Sequence, residues 1–127
     1  MTYTKTSLRT LPEVEDRLRQ AAQAHKFGVL NVLDIQQTLK SKGIEMQTPC
    51  RIFDVCNPQA ASQALSQDMR VSVVLPCRIS VFQDGQKVTL ATVNPTDLIG
   101  ATGISGAEIL ASHIEKELKA IIDEAAA

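Results

Sequence analysis

Residues 69–93, MRVSVVLPCRISVFQDGQKVTLATV, set two β-branched runs on either side of an Asp84-Gly85 pair. An Asp-Gly pair tolerates the positive φ that a two-residue hairpin requires, so the flanking runs read as antiparallel neighbours. The first run predicts a long strand over Met69–Phe82, bent or bulged at Pro76, because proline has no N–H to give a ladder. Lys87–Val93 is the return strand.

Working outward toward the C-terminus, Asn94-Pro95 opens a short turn or helix, followed by the glycine-rich IGATGISG. Ser105 and Glu108 have capping-box spacing, and Ala107, Leu110, Ile114, Leu118 and Ile121 form one apolar stripe. Glu115, Glu117 and Lys119 fall toward the other side, which predicts a long final helix lying on a sheet. Toward the N-terminus, Arg51–Cys56 predicts a strand, and Asn57-Pro58 a helix entry with Asn57 as cap and proline in the first turn. Val29–Leu33 predicts another strand, and Asp34 with Gln37 caps a helix that Gly43 ends. Tyr3–Leu11 predicts the first strand. Thr10, Pro12 and Glu13 then open a helix that carries Val14, Leu18, Ala21 and Ala22, with Gly28 as its stop. The mixed order and the tight hairpin predict an α+β domain spanning 1–127, its sheet antiparallel-rich and its helices mainly on one face.

Bulk properties narrow the function classes. Hydrophobic residues make up 44% and charged residues 21%, a globular composition that argues against disorder. The net charge of −1 and a 3% aromatic share argue against nucleic acid, which needs a basic footprint or stacking platforms. The N-terminal stretch lacks the apolar centre of a secretory signal, and no apolar run is long enough for a bilayer, so the expectation is a cytoplasmic protein that engages no membrane. Cys50, Cys56 and Cys77 are an odd count without CxxC spacing, which suits reduced thiols.

Two blocks, FDVCNPQAA at 53–61 and VVLPCRISVF at 73–82, closely resemble the signature blocks of the domain of unknown function 302 family of prokaryotes. In that family a Cys-Asn-Pro opens a helix and a Leu-Pro-Cys sits in the next strand, matched here by Cys56-Asn57-Pro58 and Leu75-Pro76-Cys77. Phe27-Gly28-Val29 and Asn94-Pro95 also resemble family counterparts. The resemblance implies an antiparallel-rich α+β fold somewhat like the TATA-box-binding protein, and a homodimer. It implies no established activity. Cys50 and the IGATGISG segment depart from the pattern.

Four residues form the candidate site: Cys56, Asn57, Cys77 and Arg78. Direct pairing of their two strands through the intervening helix would make those strands parallel and set both cysteines near the strand C-termini, where ligands bind in open sheets. A helix N-terminus beside Cys56 and the charge of Arg78 would favour thiolates; a buried, unactivated cysteine is instead a small apolar packing group. Cys50 and Cys56 stand roughly 20 Å apart along a strand and cannot share a metal. His25 and His113 read as solvated helix-end and flank residues, so the sequence assembles no metal site and names no cofactor. Gly100, Gly103 and Gly106 match no phosphate-loop pattern and read as a flexible loop, and Asp54 lacks a second carboxylate for acid–base work.

Three functions fit these residues. The leading one is a non-enzymatic ligand-binding module acting as a homodimer, with Asn57 fixing the helix, the thiols lining a pocket and Arg78 holding a small anionic ligand. The second is a thiol-redox or sulfur-handling protein that uses Cys56 or Cys77. The third is a structural or adaptor dimer.

Overall fold

The computed structural model describes residues 1–127. In chain order the elements are β1 (Thr2–Ser7), α1 (Leu11–Ala24), β2 (Gly28–Asp34), α2 (Ile35–Ser41), β3 (Cys50–Cys56), α3 (Pro58–Gln67), a 3₁₀ segment (Met69–Val74), β4 (Cys77–Asp84), β5 (Lys87–Val93), α4 (Pro95–Thr102) and α5 (Glu108–Ala126). The strands make one five-stranded sheet in the order β1-β5-β4-β3-β2, antiparallel throughout. The fold class is α+β.

Three helix entries form where their caps stand in the sequence. The Glu13 N–H donates to Thr10 Oγ1 and the Thr10 N–H returns to Glu13 Oε1, so α1 opens on a complete capping box. The Gln37 N–H donates to Asp34 Oδ1 at 3.0 Å, and the Ala60 N–H to Asn57 Oδ1 at 3.1 Å. Each cap satisfies an otherwise orphan helix donor, a contribution of about 1 kcal/mol.

Several expectations are corrected. β1 stops at Ser7, because the capping box claims Thr10 and Leu11 for the helix. α1 ends at Ala24 with His25 as its cap, and Lys26 beyond it takes the left-handed conformation (φ 64°), so Gly28 is free to begin β2. Met69–Val74 is a 3₁₀ helix instead of the first half of a long strand. Asp68 caps that segment by accepting the Arg70 N–H, and burying Val71 against α4 outweighs the strand preference of its valines. Ser105 does not cap α5. Gly106, at φ 93°, turns the chain so that Ala107 holds the cap position, and the Glu108 side chain accepts the Gly106 N–H. β3 and β4 are antiparallel, because the 57–76 excursion leaves and rejoins the sheet at the same end.

Strand alternation sorts the sheet into two faces. Phe53, Val55, Ile79, Val81, Val88 and Leu90 point to one, and all six are fully buried beneath Val14 and Leu18 of α1 and Leu118, Ile121 and Ile122 of α5. A second, smaller cluster holds Ala64, Val71, Ile99, Ile104, Ala107 and Ala111, where α3, the 3₁₀ segment and α4 meet the start of α5. Both chain termini are tied to α5 or to its end. The Tyr3 hydroxyl donates to Asp123 at 2.5 Å, and Arg9 Nε donates to the Ala127 carbonyl at 2.7 Å.

His25, expected in solvent, instead joins α1 to α5. Its Nδ1 lies 2.5 Å from Glu117 Oε2 and its Nε2 2.5 Å from Glu124 Oε2, and only 23% of the side chain is exposed. Both contacts are donated only by the imidazolium, so the hydrogen bonds to Glu124 and then Glu117 raise its pKa above the ordinary value. A raised folded-state pKa contributes stability that is fully present below about pH 6.5 and is lost as pH climbs through the higher value. Denaturant melts taken from pH 6 to pH 9 should therefore lose stability across that window, and His25→Gln should flatten the loss. A profile unchanged by the substitution would remove His25 as the source.

Candidate functional site

The 57–76 excursion builds a cavity at the end of the sheet. It encloses about 470 Å³ and is lined by 27 residues, of which 20 are hydrophobic. α3 presents Ala60, Ala61 and Ala64, α4 presents Leu98 and Ile99, and α5 presents Leu110, Ala111 and Ile114. Val71, Val73 and Val74 of the 3₁₀ segment supply another wall. Three alanines in two turns of α3 leave unfilled space that larger side chains would occupy.

Cys56, Asn57, Cys77 and Arg78 all line this cavity. Val55 is opposite Cys77 in the β3–β4 register, so Cys77 shares the core face with Val55 while Cys56 and Arg78 belong to the other. The cavity reaches round the end of the sheet, touching Val55 and Thr92 on the first face and Ile52, Ser80 and Ala91 on the second. That is how two cysteines on opposite faces come to line one space. The parallel arrangement expected for them is replaced: Cys56 closes β3 and Cys77 opens β4 at a shared end. Asn57 stiffens the wall as the α3 cap, and the Thr92 hydroxyl donates to the Arg78 carbonyl at 2.6 Å, fixing the start of β4 against β5.

The electrostatics are simple. Arg78 is the one charged residue of the lining; its side chain is 72% exposed, with Nε 3.5 Å from Asp54 Oδ1. That carboxylate oxygen is buried and makes no hydrogen bond. Burial pushes the Cys56 thiol up, and burial together with the neighbouring Cys56 pushes Cys77 up to about 11. Both are neutral thiols near pH 7, so neither the α3 terminus nor Arg78 activates them.

The remaining candidates lie elsewhere. Cys50 sits at the far end of β3 beside Ser80, outside the cavity, and all three cysteines are free thiols. His113 is exposed, and no group of three or more His, Cys, Asp or Glu side chains converges to hold a metal ion. Gly103 (φ 71°) closes α4, and the Gly100–Gly106 stretch packs through the buried Ile104. No helix is long and apolar enough to cross a membrane. Sequence reading missed the apolar walls from α4 and α5, because Ile99 or Leu110 reads as an ordinary core residue; the run of alanines in α3 was the available signal.

The family model described as "Domain of unknown function DUF302" matches residues 3–125. No curated protein matches the chain. The crystal structure of an uncharacterized conserved DUF302 protein from Bacillus stearothermophilus is similar, with a TM-score of 0.93, 31% identity, and 98% of this chain and 97% of that one covered. Matching blocks, a nearly full-length family match and a shared fold lead to one conclusion: the chain belongs to the DUF302 family.

Proposed function

We propose that this protein is a non-enzymatic module that binds a small, largely apolar molecule in the cavity at the end of its sheet, and that it works as a homodimer. The observation that carries the reading is the cavity itself. Its volume of about 470 Å³ lies within the range of roughly 300–1,000 Å³ typical of ligand pockets, and its few polar groups, Thr2, Asn57, Arg78, Ser80 and Thr92, come from β1, the β3–α3 junction, β4 and β5. In this reading Asn57 holds α3 in place, the two thiols serve as neutral wall, and Arg78 meets a polar or anionic group of the ligand. The dimer rests on the exposed edge of β2, where Leu30 is 62% and Leu33 37% exposed.

A redox or sulfur-transfer role is less well supported, because the nucleophile is the thiolate and both thiols are raised. A purely structural dimer gives no use to a large apolar cavity.

Three experiments check these statements. Nile red, a neutral apolar dye, should gain fluorescence on binding, and Ala61→Phe should abolish the gain while shifting Tm by only a few degrees, since Ala61 is half-buried at the wall. Dye that ignores the wild-type protein would remove the binding reading. Iodoacetamide at pH 7.5 should label Cys77 at least about tenfold more slowly than a free thiol, with a rate that climbs toward pH 11. Labelling of Cys56 or Cys77 faster than free cysteine would reinstate sulfur chemistry. Sedimentation at micromolar concentration should give twice the chain mass, and a monomer at every concentration would remove the dimer.

A further inference from the structure

The cavity is chemically lopsided, and that asymmetry specifies a class of ligand. Its inner end is formed by Ala64, Val71, Ile99, Ala111 and Ile114, each less than 10% exposed. Its outer end carries Arg78, with Thr2 and Ser80 also on the outer face of the sheet. No Asp, Glu, Lys or His lines the cavity, so one positive charge stands at the mouth of an otherwise uncharged space.

From this we infer that the ligand is a single-headed amphiphile: an unbranched or lightly branched hydrocarbon chain ending in one carboxylate. The inference rests on the binding role proposed above and names its ligand class. A cationic ligand would meet Arg78, and a polyanion would find one cation for several charges. A carboxylate matches the planar fork of the guanidinium, which presents five donors. Arg78 approaches Asp54 through Nε at 3.5 Å, and no hydrogen bond within the protein engages its guanidinium, whose donors can turn to the head group. Asp54 thereby acts as a positioning residue that holds the fork at the rim. The hydrocarbon chain then occupies the apolar inner end, where each methylene taken from water tightens binding about fourfold.

Dodecanoate and dodecanol, each below its aggregation limit, distinguish the head group from the chain. Calorimetric or dye-displacement titration should find dodecanoate bound at least about threefold more tightly than dodecanol, the modest preference expected of an exposed cation. Butanoate should bind far more weakly than either. Arg78→Gln, at a mostly exposed side chain, should erase the preference by weakening dodecanoate more than dodecanol, and raised salt should narrow it in the same direction. Equal affinity for dodecanoate and dodecanol in the wild type overturns the carboxylate inference and leaves the apolar cavity standing. Binding of neither lipid, whether because a second copy fills the groove or because it stays closed, overturns both this inference and the binding role.

Discussion

The antiparallel pairing of β3 with β4 is the constraint from which the rest of the architecture follows. Val55 faces Cys77 and Cys50 faces Phe82, so the chain that leaves β3 at Cys56 must return to the same end of the sheet before β4 can begin. Twenty residues, 57–76, are far more than a hairpin needs. The surplus becomes α3 and the 3₁₀ segment, folded over the end of the sheet as a separate layer. That layer buries its own small cluster against α4 and α5, and the space between the two clusters is the cavity. Site and fold share one cause.

The two clusters differ in what they can fill. The main one packs Phe53, Leu18, Leu90, Leu118, Ile121 and Ile122 at or near zero exposure, as protein interiors ordinarily pack. The smaller one is built half from alanines, which cost no side-chain entropy to order and leave room. Polar stitches hold its pieces in place. The Thr96 N–H and hydroxyl both donate to Glu115, tying the first turn of α4 to the middle of α5 and holding that carboxyl below its usual range. These bonds brace one wall of the cavity.

Much of this was legible in the sequence, and the failures share a physical reason. Local chemistry located β5, the turn before it, the Thr10–Glu13 box and the caps at Asp34 and Asn57, because each depends on residues a few positions apart. The family blocks identified the two segments that line the cavity. What local chemistry could not reveal was set by distant partners. Val71, Val73 and Val74 have strand-forming side chains, yet the pocket between α3 and α4 takes Val71 and winds the segment into a 3₁₀ helix. His25 ends a helix and would be solvated there, but for two glutamates more than ninety residues away. A parallel pairing of the strands that carry Cys56 and Cys77 stays open in the sequence, because it cannot say which end of the sheet a twenty-residue excursion returns to.

The pairing of β1 with β5 has a consequence for the order of folding. β1 is residues 2–7, but its ladder partner is Lys87–Val93, and the helix that covers it ends at residue 126. Closing loops of that length costs entropy that must be spent before any contact repays it. Of the five strands β1 is made before the others and its ladder partner β5 after them, so β1 has no sheet neighbour until β5 is present. Its composition suits the wait: TYTKTS offers alternating threonines and a lysine, and little apolar surface for another chain to capture.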